Sequence, residues 1–146
     1  LLTSVFAVNP IFDLFPNTVT VSAKLEEDLQ EFSREERFEY FNELGAPSGL
    51  DQIIKNCYKL LDLITFYTIK GGKILRAWPL KKDSTTIEAA DSVHSDFAEN
   101  FIRAEVLQAG ELIEAGSWLA AKDAGFVDVR GREYIVQDKD VIEFKI

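Results

Sequence analysis

At Leu63 the apolar pattern changes period, and that change governs what this chain can fold into. Before it, Leu50, Ile53, Ile54, Cys57, Tyr58, Leu60 and Leu61 recur at spacings of three and four, which predicts a helix with one buried face. After it, Leu63 to Ile69 and Ile74 to Leu80 read as strands flanking Lys70-Gly71-Gly72-Lys73. A Gly-Gly pair admits the primed turns that close a two-residue hairpin. The chain therefore divides into a helical part, 1–62, and a strand-rich part, 63–146.

In the helical part, Ser33-Arg-Glu-Glu36 has the spacing of a capping box, in which the Ser oxygen and the Glu side chain satisfy reciprocal backbone donors. The helix it opens carries Phe38, Phe41 and Leu44 on one face and stops at Gly45. Pro47-Ser48 opens the next, so a helical hairpin is expected. Ahead of it, Ser4–Val8 and Thr18–Val21 read as strands. Parallel strands need a crossover of about a dozen residues or more. Only Asn9 to Asn17 lie between them, so either the strands are not a parallel pair or residues are missing from the chain there.

In the second part, Thr85-Thr-Ile-Glu88 is another capping box. Phe101–Leu107 reads as a strand, and Glu111–Ala115 and Ser117–Ala124 as short helices, the latter closed by Gly125. Val127–Val129 and Tyr134–Val136 around Arg130-Gly131 read as a further hairpin, and Val141–Ile146 as the last strand. Short strands around small helices predict a compact α+β roll.

The chemistry on offer is narrow. There is no GxxxxGK[ST] phosphate loop, no GxGxxG and no GxSxG. Cys57 sits on the apolar helix face and reads as a small buried hydrophobe. His94 lies beside Asp96 and reads as a helix cap or local hydrogen-bond partner, with a hydrolytic His94–Asp96 pair as the competing reading. The acidic run Glu26–Glu39 reads as a solvated helix face, with a carboxylate metal site as the weaker alternative. No segment approaches the roughly 18–20 apolar residues of a membrane span. Leu1–Val8 lacks a basic flank and a cleavage site, so it does not read as a signal peptide. A single Cys points to a reducing compartment, the cytoplasm. The chain starts at Leu and has no Met, so it is expected to be part of a longer polypeptide.

Net charge is −9. Residues 1–62 hold five basic against eleven acidic side chains, and 63–146 hold eleven against fourteen. Such a chain repels phosphate overall, so any nucleic-acid contact must come from a local patch. One basic cluster exists: Lys70, Lys73, Arg76, Lys81 and Lys82, with Trp78 inside and no acid among them. On one hairpin, the cations could meet phosphates while the aromatic stacks a base. Equally, Lys could protect an exposed strand edge, with Trp78 in the core.

Several strings resemble one family: Leu50-Asp-x-Ile-Ile, Tyr58-x-Leu-Leu-x-Leu63-Ile-Thr-Phe66, Arg76-Ala-Trp78, Ala89-Ala90-x-x-Val93-His94-Ser-Asp-Phe97, Phe101-Ile-Arg-Ala-Glu-Val106, Ala121-Lys122-x-x-Gly125 and Tyr134-Ile-Val-Gln-Asp138-x-Asp140. They look like the C-terminal part of the Obg-like ATPases, the YchF group of P-loop NTPases, from about Val19 to the end. The resemblance implies that 63–146 is a TGS domain, a ubiquitin-like β-grasp, preceded by helices and the last strands of a nucleotide-binding domain. Val5-Phe-Ala-Val-Asn9 is similar to the family's base-reading strand, and Val21-Ser22-Ala23-Lys24 to its base-contacting loop, making Asn9, Ser22 and Ala23 the candidate nucleotide contacts. Where the family has Glu after this Asn, the chain has Pro10-Ile11-Phe12. Three family glycines are Asp91, Asn100 and Lys139 here.

For the intact protein, the resemblance implies ATP or GTP binding, Mg²⁺-dependent hydrolysis and association with the ribosome. This chain alone, lacking the phosphate loop, is expected to be inactive and to act as the docking module. Lys70, Lys73, Arg76, Lys81 and Lys82 are then the candidate contacts to rRNA, and other proteins are possible partners. A ubiquitin-like protein–protein adaptor with no RNA role is the alternative.

Overall fold

The computed structural model describes residues 18, 19, 21–45 and 48–146, with the backbone alone for residues 74 and 75. The chain divides into two compact units, one ending at Leu60 and the other spanning Leu61–Ile146. The candidate strand Ser4–Val8 and Asn9 lie outside the described residues.

The first unit contains α1 (Ala23–Asp28), α2 (Arg34–Glu43) and α3 (Gly49–Leu60). The Ser33 capping box closes as expected, with the Glu36 N–H donating to Ser33 Oγ at 3.2 Å and the Ser33 N–H to Glu36 Oε2 at 2.8 Å. Gly45 follows α2 with φ +64°, the left-handed conformation in which glycine avoids a Cβ clash. The expected strand Thr18–Val21 does not form among its described residues. Instead Val21 packs on Gly49 so closely that a Cβ there would fall 2.6 Å from Val21 Cγ1. A strand needs a partner ladder, and the chain turns directly into the Ser22 cap of α1.

The buried face expected for α3 is a second correction. Leu50, Ile53, Ile54 and Leu60 are exposed, and so is Cys57. Periodicity shows that a helix has an apolar face; it does not supply a partner. Among the described residues before Leu61, only Leu29 and Phe41 are large buried side chains.

The second unit is a mixed five-stranded sheet in the order β2-β1-β5-β3-β4. β1 (Leu63–Lys70) and β2 (Lys73–Lys81) form the expected hairpin, with Gly71 at φ +57° and Gly72 at φ +81°. Positive φ at both central residues defines the type I′ turn that matches strand twist. The register slips between Thr68 and Ile69. The chain then runs through α4 (Thr86–Val93) and α5 (Ser95–Glu99) into β3 (Arg103–Gln108), and through α6 (Ala109–Ala115) and α7 (Trp118–Asp123) to β4 (Asp128–Arg130). Finally β5 (Asp140–Lys145) inserts between β3, antiparallel, and β1, parallel. An N-terminal hairpin whose first strand lies parallel to the last is the β-grasp arrangement, so the α+β expectation holds.

Both sheet faces are covered. Phe66, Leu80, Ala104, Val106 and Ile142 pack under Ala89 and Ala90 of α4. Ile69, Leu107 and Val141 pack on the other side under Trp118 and Ala121 of α7. This explains why β3 alternates poorly in sequence: Ala104, Glu105, Val106 and Leu107 are all buried.

The expected hairpin of Val127–Val129 with Tyr134–Val136 is corrected. β4 pairs with β3. Tyr134–Val136 instead lies along the entrance to α4: the Thr86 N–H donates to the Tyr134 carbonyl at 2.8 Å and the Val136 N–H to the Ser84 carbonyl at 3.0 Å. Extended character was legible, but its partner was distant. Of the three replaced glycines, Asp91 is helical and Asn100 has φ −97°, while Lys139 takes φ +67°.

Candidate nucleic-acid interface

The hairpin β1–β2 carries all five cations of the basic cluster. The turn makes Lys70 and Lys73 cross-strand partners, whereas Lys81 lies opposite Leu63 at the far end. Lys82 follows, its N–H donating to the Asp62 carbonyl at 2.7 Å. At about 3.4 Å per residue, Lys73 and Lys81 stand roughly 27 Å apart along β2. The structure thus brings Lys70 and Lys73 together and separates them from Lys81 and Lys82. All five are exposed, and none is in an ion pair among the described residues.

Arg76 stands between the two pairs, its guanidinium carbon 5.2 Å from the centroid of Trp78. Trp78 is half-buried, packs against the core and donates Nε1–H to Thr68 Oγ1 at 3.1 Å. Its indole is committed to the fold, so the core reading of Trp78 holds and this hairpin has no free stacking platform at that position.

A second group of cations escaped sequence reasoning. Glu105, only 5% exposed, accepts from Lys122 Nζ at 2.8 Å, with Lys145 at 3.7 Å and Arg103 at 3.9 Å. Lys145 also pairs with Glu143 at 2.7 Å, and the other oxygen of Glu143 accepts from the Gly71 N–H at 3.2 Å. Burial alone would raise the Glu143 pKa, but Lys145 and the Gly71 N–H outweigh it and hold the carboxyl below its ordinary value. These cations come from β3, α7 and β5, so no local pattern announces them. Their charge is met there by the carboxylates of Glu105 and Glu143.

The remaining candidates fall elsewhere. Ser22 caps α1, its Oγ accepting from the Leu25 N–H at 3.4 Å, and Ala23 is exposed at the helix start. Glu26 is no mere solvated side chain: Oε1 accepts from the Gly49 N–H at 2.7 Å and from the Ser48 hydroxyl at 3.2 Å. His94 Nδ1 accepts from the Asp96 N–H at 3.2 Å and caps α5, which uses the lone pair that a general base would need. Among the described residues no group of three or more His, Cys, Asp or Glu side chains could hold a metal ion, and no helix is long and apolar enough to cross a membrane.

Residues 63–146 match the YchF-GTPase_C family, described as a protein of unknown function (DUF933). The chain is 44% identical over 128 residues to the ribosome-binding ATPase YchF of Bacillus subtilis, covering 87% of this chain and 35% of that protein. It is 40% identical over 127 residues to the protein of the same name from Escherichia coli O157:H7, covering 86% and 35%. The chain thus spans about a third of the length of these relatives. Among solved structures, the Schizosaccharomyces pombe YchF GTPase superposes with a TM-score of 0.73 at 30% identity, over 86% of this chain and 33% of that one. A GTP-binding protein from Pyrococcus horikoshii OT3 shares the fold at a TM-score of 0.52 and 18% identity, over 84% and 34%.

Proposed function

The chain belongs to the YchF family, and from that premise we propose that it is the docking portion of a ribosome-associated P-loop NTPase that works in the cytoplasm. The intact protein binds and hydrolyses ATP, GTP or both with Mg²⁺; its β-grasp unit, the TGS domain, meets rRNA. The observation that carries this reading is the edge hairpin, where five exposed cations stand without a carboxylate partner among the described residues, on a chain of net charge −9. The names of the bacterial relatives support the ribosomal partner.

The described residues do not assemble a nucleotide and Mg²⁺ site. No phosphate loop exists in the sequence, and the Ser22 hydroxyl is engaged by its own helix. Hydrolysis is therefore not assigned to any residue of this chain.

Ribosome co-sedimentation across a salt series tests the reading. Each lost phosphate contact lowers the slope of log affinity against log salt by about 1. Lys81→Glu with Lys82→Glu should weaken binding and flatten that slope. Unchanged binding would remove the RNA contact. Binding that persists at about 0.5 M salt and after nuclease treatment would favour a protein–protein adaptor instead.

A further inference from the structure

The register slip in the β1–β2 hairpin decides which cations share a face. Thr68 stands opposite Arg76, but Ile69 stands opposite Ile74, so β2 carries one extra residue there. Ile69 packs under Trp118 of α7, and side chains alternate along a strand, so Thr68 and Lys70 turn to the α4 side. Cross-strand partners lie on one face. Lys73, opposite Lys70, and Arg76, opposite Thr68, therefore join them. Without the extra residue, side chains three positions apart would point to opposite faces. The partners of Lys73 and Arg76 are two positions apart on β1, so these two cations stand roughly 7 Å apart along the hairpin. Leu80 packs on the α4 side, and Lys81 consequently turns to the other face.

Trp78 holds Arg76 in place. The guanidinium carbon lies 5.2 Å from the indole centroid, within cation–π range. The indole is itself fixed, its Nε1–H donating to Thr68 Oγ1 at 3.1 Å, and that hydroxyl donates to the Arg76 carbonyl at 3.4 Å. Thr68 is buried. Lys70, Lys73 and Arg76 are exposed and make no ion pair among the described residues.

A guanidinium laid on an aromatic face keeps the N–H donors at its edge, in a planar fork that matches the oxygens of a phosphate. Two parallel bonds from such a fork are stronger and more directional than a Lys contact, and a fork already held in place loses less freedom on binding. We propose that Lys70, Lys73 and Arg76 form a phosphate-gripping face for the RNA backbone, with Trp78 as the positioning residue that aims the Arg76 fork. The indole N–H is spent on Thr68 and the ring on Arg76 and the core, so the contact reads the backbone and not the base sequence. This inference rests on the RNA-docking reading and assigns the anchoring contact within it. Lys81, on the other face, adds charge without sharing this grip.

The test is fluorescence anisotropy of the whole chain with two labelled RNA stem-loops of different stem sequence, across a salt series and alongside thermal unfolding. Wild type should bind both alike; a clear preference for one would overturn the backbone reading. Arg76→Lys keeps the charge but loses the fork, so it should weaken binding about tenfold and leave the salt slope unchanged. Thr68→Val frees the indole without touching any charge and should weaken binding about threefold, again at constant slope. Lys70→Gln with Lys73→Gln should instead flatten the slope by about 2. If Thr68→Val unfolds the protein, the exposed Arg76 and Lys variants decide. Should Arg76→Lys bind as wild type while the double Lys70 and Lys73 variant weakens, the aimed fork is overturned. If all these variants bind as wild type while Lys81→Glu with Lys82→Glu loses affinity, the gripping face is overturned and the hairpin reading stands. If no variant alters binding, or neither stem-loop binds while ribosome association survives nuclease, both fall.

Discussion

The Tyr134 hydroxyl donates to Asp140 Oδ2 at 2.9 Å, inside a carboxylate that is 1% exposed. Asp140 also accepts from the Gln137 N–H at 2.8 Å and from Gln108 Nε2. These bonds join the start of β5 to the end of β3 and to the segment crossing α4. Burial, the largest influence, raises the Asp140 pKa despite three donors, and burial together with Asp140 pushes Tyr134 up to about 12.

Tyr134→Phe should therefore destabilise the fold by about 1–3 kcal/mol, because it leaves a buried acceptor under-satisfied. It also removes an influence that lowers the Asp140 pKa, so that pKa should rise further. Above the ordinary value of 3.8 and up to the raised one, the folded protein holds a proton that the unfolded chain does not. This group's contribution to stability consequently falls as pH rises through that window. The variant should extend the window upward, read by carboxyl carbon NMR titration and by urea unfolding at several pH values.

The Thr85 cap gives the opposite sign. Glu88 accepts from the Thr85 N–H at 2.6 Å and from its hydroxyl at 2.8 Å, and these bonds hold its pKa below the ordinary 4.5. The stability it supplies is present above 4.5 and is lost as pH falls through the folded value. Thr85→Ala should cost about 1 kcal/mol at neutral pH through the lost cap. The difference from wild type should shrink in acid, as followed by thermal unfolding.

Lys139 holds φ +67° while its N–H donates to the Thr65 carbonyl at 2.7 Å. Left-handed backbone costs a side-chain-bearing residue roughly 1–2 kcal/mol. Lys139→Gly should relieve part of that and raise the melting temperature by about 2–4 °C per kcal/mol gained. A fall in melting temperature would show that glycine's unfolded-state entropy outweighs the strain.

Thr65 turns its N–H to Asp138 Oδ1 and its carbonyl to the Lys139 N–H, both away from β2. Its antiparallel partner, Pro79, must then face outward on the sheet edge. Proline there removes a donor from an edge open to another strand. Pro79→Val should restore it and increase concentration-dependent self-association, as measured by sedimentation velocity.

Much of the architecture was legible because it is enforced locally. Ser33 with Glu36, and Thr85 with Glu88, satisfy donors within one turn, and Gly71-Gly72 dictates its turn whatever surrounds it. Tyr134–Val136 is extended, as its pattern predicts, but it lies along the entrance to α4, since period-two patterning does not name the strand across the gap. Cys57 is exposed for a related reason: its helix face is apolar, yet the described helices around it do not cover it. The hairpin cations were visible as a run, but their separation into two pairs follows from strand length.

What the sequence determined by itself was the set of caps, turns and apolar periods, because steric and hydrogen-bond rules act between residues a few positions apart. Tertiary structure alone decided that Arg103, Lys122 and Lys145 surround Glu105, and that a cleft opens beside Phe97 and Phe144. Those residues meet only when β5 enters between β1 and β3, a long-range pairing whose geometry depends on every intervening loop.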